Sequence, residues 1–276
     1  MLKVSNVTCS IHRTAILKEV SFTLALGEIV GFVGNNGAGK TTTLEILSTC
    51  LQPTSGSITW NDEDIWNSKN FHTELGYVPD QLPLYPNATV YENLLYTSKL
   101  RKVDNPKKRV VELLSEFELK SVASTPIRAL SKGWKQWVGI AQAWCHKPRL
   151  LLLDEPTSGL DPSGRQRFEG WLRNIRSQGT AVFFSSHILS EVEAVSDRVL
   201  WIEKGTLIDR RAHTWVIQCT IEKPNPSLLS KLNQIDGVSN VQMDGGCITL
   251  SCPPNLRPLI ARVLVESGLL EMRRIQ

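Results

Sequence analysis

Gly34-Asn35-Asn36-Gly37-Ala38-Gly39-Lys40-Thr41-Thr42, GNNGAGKTT in one-letter code, decides the architecture of this 276-residue chain. Its first eight residues have the spacing of a phosphate-binding loop. The glycines let the backbone curl until several N–H groups face inward, and a helix starting near Lys40 adds its dipole to the attraction for anions. The flanks agree with that reading. Ile29 to Val33 is an apolar run ending in glycine, as a buried strand feeding a loop should be. Lys40 to Cys50, KTTTLEILSTC, reads as the following helix, stopped by the turn cluster Gln52-Pro53-Thr54-Ser55-Gly56. Lys40 is expected to reach the β- and γ-phosphates of a nucleotide, and the Thr41 hydroxyl to ligate Mg²⁺.

Downstream, Leu150-Leu151-Leu152-Leu153-Asp154-Glu155 is an apolar strand running into acid. Two adjacent acids after a strand usually mark a solvated loop. Beside a phosphate loop they read as a metal ligand, Asp154, followed by Glu155, a carboxylate placed to polarise an attacking water. His187 ends another strand, AVFFSS. Ligands of open α/β sheets bind at such strand ends, so His187 is expected to sense the γ-phosphate.

Residues 2–34 read as strands, LKVSNVTCS, VSFTLALG and EIVGFVG. Residues 82–130 have another texture: VYENLLYTSKL and KKRVVELLSEFEL show helical spacing and are parted by Asn105-Pro106. Strand–helix alternation then returns. The whole is an α/β fold, with an N-terminal antiparallel β part and a helical insert. After Gly205 the runs WVIQCTIE, PSLLSKLNQI, VSNVQMD, CITLSC, LRPLIARVLVESG and LLEMRRIQ suggest strand-helix-strand-strand-helix-strand, a small ferredoxin-like α+β module. Domains are expected at 1–206 and 214–276, with the boundary between Thr206 and Thr214.

The chain is 41% hydrophobic and 21% charged, with net charge +4 from 31 basic and 27 acidic side chains. So mild an excess calls for no nucleic-acid partner. The six cysteines form no C-x-x-C pair and read as reduced structural thiols of a cytosolic protein. The N-terminus lacks the apolar core of a signal peptide, and no apolar run reaches the roughly 18 residues of a membrane span. If the protein acts at a membrane, another chain is expected to cross it.

A further stretch, Ala129 to Trp137 (ALSKGWKQW), places a second Ser-x-Gly turn at the head of a helix. A hydroxyl-capped helix start is itself an anion site. In order, GNNGAGKTT, LSKGWKQ, LLLLDEP, SGLD at Ser158–Asp161 and SSH at Ser185–His187 resemble the ATP-binding subunit of an ABC transporter, a P-loop NTPase cassette, over roughly Met1 to Gly205. LSKG in place of LSGG resembles the exporter branch of drug-resistance and gliding-type systems. The resemblance implies ATP and Mg²⁺ as ligands, a transmembrane permease as partner, and a cytoplasmic protein held at the inner face of the cell membrane through it. It also implies that Ser131 and Gly133 cap the γ-phosphate held by a second cassette, a homodimer packed head to tail. Asp161 then belongs to the loop that communicates across the dimer.

Three positions depart from the family pattern. The lid-loop glutamine that follows Tyr-x-Pro is replaced, after Tyr77-Val78-Pro79, by Asp80, with Gln81 one place later; either can fill the role. Trp137 stands where arginine usually follows the signature glutamine. The early adenine-stacking aromatic aligns with Ile11, beside His12. Lys99, Arg101, Lys102, Lys107, Lys108 and Arg109 cluster in the insert. They read as a solvated helical face, or as a contact with anionic lipid headgroups.

Other readings compete. A non-transport ABC ATPase regulating another cytoplasmic complex, on ribosomes or DNA, would usually carry two cassettes or a long coiled coil. A P-loop small-molecule kinase leaves the signature stretch unemployed. A regulatory module with a dead nucleotide site conflicts with Glu155 and His187.

Overall fold

The computed structural model describes residues 1–208, 215–222, 225, 227–235, 238–252, 256–265 and 268–274, which fall into two compact units, Met1–Ile208 and Asp209–Gln276. The expected boundary residues up to Thr214 lie outside the described residues beyond Ile208.

The first unit runs β1 (Leu2–Ile11), β2 (Thr14–Leu24), β3 (Ile29–Val33), α1 (Lys40–Leu47), β4 (Ser55–Trp60), β5 (Glu63–Asp64), α2 (Phe71–Glu74) and β6 (Leu75–Val78). The insert contributes α3 (Val90–Leu100) and α4 (Pro106–Glu116). Then come α5 (Lys132–Ala143), β7 (Leu150–Leu153), α6 (Pro162–Ser177), β8 (Ala181–Ser186), α7 (Leu189–Glu193), β9 (Arg198–Glu203) and β10 (Thr206–Ile208). The last hairpin, β9–β10, closes this unit at Ile208.

Three layers result. An antiparallel sheet ordered β2-β1-β4-β5 faces a six-stranded sheet ordered β10-β9-β3-β8-β7-β6, in which β9, β3, β8, β7 and β6 run parallel. Phe22 of the first sheet stacks on Phe183 of the second at 5.0 Å between rings. The other face of the parallel sheet is covered by α3 to α6 and their buried side chains. Strands sealed on both faces are apolar, which is why β3 and β7, and β8 up to Phe184, read as continuous hydrophobic runs.

Strand order positions the chemistry. β8 lies between β3 and β7, so the phosphate loop after β3, Asp154 after β7 and His187 after β8 emerge side by side from the carboxyl edge of one sheet. The register Leu153↔Phe184 sets Ser185 beside Asp154.

In the insert, α3 starts with a reciprocal Thr89–Glu92 capping box. The basic cluster divides. Lys99, Arg101, Lys102, Lys107 and Lys108 are exposed, but Arg109 is buried, a correction to the solvated-face expectation. Its Nε donates to Cys145 O (2.9 Å) and its Nη2 to Trp144 O (3.1 Å), while Nη1 pairs with Glu112 (3.3 Å). Helix α5 ends there, with its C-terminal carbonyls needing donors.

The second unit runs β11 (Trp215–Ile221), α8 (Ser227–Asn233), β12 (Ser239–Asp244), β13 (Cys247–Cys252), α9 (Arg257–Val265) and β14 (Leu269–Arg274). Its sheet order β12-β13-β11-β14, antiparallel throughout, is the ferredoxin-like arrangement that the run order suggests. Alternation in β13 turns Ile248, Leu250 and Cys252 into a core with Leu228, Leu232, Ile260 and Leu264 of the two helices. Burial pushes the Cys219 thiol up to about 11, as befits an inert structural cysteine. Among the described residues no helix is long and apolar enough to cross a membrane.

Candidate functional site

Helix α1 begins at Lys40 behind Gly39, whose φ of 109° lies in the region that favours glycine. Its N-cap, Gly39, supplies no side-chain cap, which leaves the first N–H groups of the helix for an anion. A Cβ on Gly39 would also lie 2.7 Å from Leu17 Cδ2. Lys40 is folded inward. Its Nζ donates to Gly34 O at 2.8 Å and lies 3.4 Å from Glu155 Oε1.

Asp154 is 1% exposed. Ser185 Oγ donates to its Oδ1 at 2.6 Å and accepts the Glu155 N–H at 2.9 Å. One buried hydroxyl thus fixes both acids. Asp154 Oδ2 is buried and makes no hydrogen bond among the described residues. Burial holds the Asp154 carboxyl above its ordinary range, against the pull of the Ser185 and Thr41 hydroxyls beside it.

Glu155 adopts φ 47°, left-handed backbone that a non-glycine residue takes at a cost. The bond from its N–H to Ser185 offsets that cost. Its carboxylate is held between Lys40 and His187, whose Nδ1 lies 2.8 Å from Oε2. A carboxylate accepts only, so the proton of that contact sits on Nδ1.

A cavity of about 440 Å³ is lined by Ile16, Asn36, Gly37, Gly39, Lys40, Thr41, Thr42, Asp80, Glu155, Ser158 and His187, with Asp154 and Ser185 behind Glu155 and off its lining. Asp80 lines it and Gln81 does not. Ile16 of β2 lines it, whereas Ile11 and His12 lie at the β1–β2 turn. Ser185, Ile16 and Ser158 carry no role in the sequence reading. A signal exists for two of them, Ser185 in the quoted SSH and Ser158 at the head of the quoted SGLD.

Ser131 caps α5, accepting from Trp134 N at 3.4 Å, and Asp161 caps α6, accepting from Gly164 N at 2.8 Å. The Gly164 N–H and Ser163 hydroxyl hold Asp161 below the usual carboxylate range. Ser131, Gly133 and Asp161 line a second cavity of about 610 Å³ with Trp134, Trp137, Gly159 and Arg167. No described residue lines both cavities. Trp137 is buried, and Arg167 of α6 sits 4.1 Å above its ring, so a cation reaches this face from a neighbouring helix.

The family model described as ABC transporter matches residues 17–158. The chain belongs to the ABC transporter family. It is 32% identical over 253 residues to the linearmycin resistance ATP-binding protein LnrL of Bacillus subtilis (strain 168), covering 87% of this chain and 81% of that protein. It is 35% identical over 208 residues to the lantibiotic transport ATP-binding protein SrtF of Streptococcus pyogenes, covering 75% of this chain and 89% of that protein. Among solved structures, a dimeric ATP-binding cassette in a post-hydrolysis state with ADP and Pi superposes with a TM-score of 0.69 at 26% identity, over 76% of this chain and 97% of that one. The ABC resemblance of the motifs is therefore a family relationship, and the cassette is an ATP-binding, ATP-hydrolysing one.

Proposed function

We propose that this ABC cassette powers a separate membrane-spanning permease that exports a substrate, by closing head to tail on a second copy of itself when ATP binds. One observation carries the reading. The signature turn at Ser131–Gly133 lines a cavity separate from the one lined by Lys40 and Thr41. A single chain does not bring its two anion-binding helix starts to one phosphate; two chains related by a two-fold axis do. Relatives named for linearmycin resistance and lantibiotic transport support export. The protein then works at the cytoplasmic face of the membrane, with the permease supplying the crossing.

The loop N–H groups and Lys40 hold the β- and γ-phosphates, and Glu155 orients and deprotonates the attacking water, with His187 fixing its carboxylate. The Thr41 hydroxyl and Asp154 would hold Mg²⁺; the buried, unpartnered Oδ2 of Asp154 is an oxygen such an ion satisfies. That ion offsets phosphate charge. Asp80 is assigned the lid-loop position and Asp161 the link across the dimer.

Glu155→Gln tests the reading. ATP binding should persist, hydrolysis should fall by about 10²–10⁴-fold, and an ATP-bound dimer should accumulate on size exclusion with light scattering. Near-normal turnover, or a monomer in saturating MgATP, overturns it.

A further inference from the structure

We propose that Lys132 is a positioning residue that ties the signature turn a chain offers its partner to the occupancy of that chain's own ATP cavity. The inference rests on the head-to-tail reading above and adds a route by which two shared sites influence each other.

Lys132 sits between Ser131 and Gly133 in the turn, and its own side chain leaves that cavity. Nζ donates to Ser158 Oγ at 2.7 Å. Ser158 lines the other cavity, with Lys40, Asp80, Glu155 and His187, and its N–H donates to Glu155 O at 3.0 Å. The next residue, Gly159, lines the signature cavity. Two successive residues of one loop thus face the two cavities, and Lys132 grips the loop where it passes from one to the other.

The grip is tight. Gly159 has φ 84°, and a Cβ there would lie 2.8 Å from both Cγ and Cδ of Lys132. A Cβ on Gly133 would lie 2.9 Å from Gly159 O. The lysine methylenes lie flat against glycine backbone while the ammonium reaches over to the serine. A shift of Ser158 when phosphate enters beside Glu155 therefore drags on Lys132, whose backbone forms the first turn of α5. The reverse holds too, since coupling between two sites is reciprocal.

The test uses the purified full chain and MgATP. Hydrolysis is followed against ATP concentration, and nucleotide affinity of the dilute monomer is measured with a fluorescent ATP analogue. The parent chain should show a Hill coefficient approaching about two, the number of shared sites. Lys132→Met should bring it to about one while monomer affinity stays within about twofold, because Lys132 lies outside the ATP cavity. Ser158→Ala should lower the Hill coefficient equally, the double variant should be no worse than either, and Lys132→Arg should restore most of the loss. Unchanged cooperativity in Lys132→Met overturns the proposal alone. So does full cooperativity in Ser158→Ala, which would leave the Lys132–Ser158 hydrogen bond without a part in the coupling. A non-cooperative parent chain that stays monomeric as Glu155→Gln in MgATP overturns the head-to-tail reading, and this coupling with it.

Discussion

Asp154 and Ser185 show what a single buried hydroxyl can do. The carboxylate is enclosed, one oxygen satisfied by Ser185 and the other by nothing among the described residues. Burial raises its pKa, and Asp80 and Glu155 nearby push the same way. A carboxyl with a folded-state pKa above its unfolded value binds its proton more tightly in the fold. The resulting penalty is absent below the unfolded value of about 3.9, grows as pH rises through the folded value, and is complete above it. Asp154→Asn removes that penalty and keeps an oxygen for Ser185. With a chelator present, thermal unfolding should show Asp154→Asn melting higher than the parent, by a gap that narrows as the pH falls toward the unfolded value. With MgATP the order should reverse, since only the parent gains from binding the ion. A gap that stayed constant down to the unfolded value would remove the charge-burial argument. Lys40, Asp154 and Glu155 are legible in the sequence because their spacing is tied to loop and strand ends. The role of Ser185 is not, although it stands in SSH, because a serine near the end of an apolar strand gains meaning only from the register that sets it beside Asp154.

Helix α4 and the aromatic side chains behind it carry the same lesson one scale up. Phe117, just past α4, lies 5.9 Å from Trp137 of α5 and 5.4 Å from Trp171 of α6, and Phe168 reaches Phe184 of β8 at 6.5 Å. The insert is thereby packed through to the parallel sheet. Trp137, where the family pattern has arginine, is a core residue of this lattice. Arg109 closes its edge by holding the end of α5. Arg109→Met should cost about 2–4 kcal/mol, since two helix-end carbonyls lose their donor and two partly exposed carboxylates lose their partner. Lys108→Met, on the exposed side of the same turn, should stay within about 0.5 kcal/mol. Urea unfolding of the two variants compares them directly, and equal costs would return Arg109 to the solvated face. Helical spacing makes α3 and α4 legible in the sequence. It does not separate Arg109 from its basic neighbours, because six cations in a row look alike until the end of another helix arrives to claim one.

Across the whole molecule, the motif order was enough to read the cassette, and the run order of the last quarter was enough to read a ferredoxin-like unit. The resemblance implies that the two anion-binding helix starts of one chain serve different phosphates, and the fold adds that they line separate cavities. A mixed dimer tests the proposed consequence. Lys40→Ala removes a chain's own grip on phosphate. For the signature turn, Gly133 is a poor place to mutate, because any Cβ there meets Gly159 O at 2.9 Å and the turn itself shifts. Ser131→Asp is cleaner: aspartate caps a helix as well as serine, so α5 keeps its start, while a negative charge now stands where the partner's γ-phosphate is expected. Each variant alone should lose nearly all hydrolysis. In a mixed dimer one shared site carries both lesions and the other carries neither. Co-expression with two different affinity tags and sequential purification isolates that species, and its hydrolysis should exceed that of either pure dimer. Ser131→Asp retaining full turnover would show that the turn faces no nucleotide, and the head-to-tail arrangement would have to be abandoned.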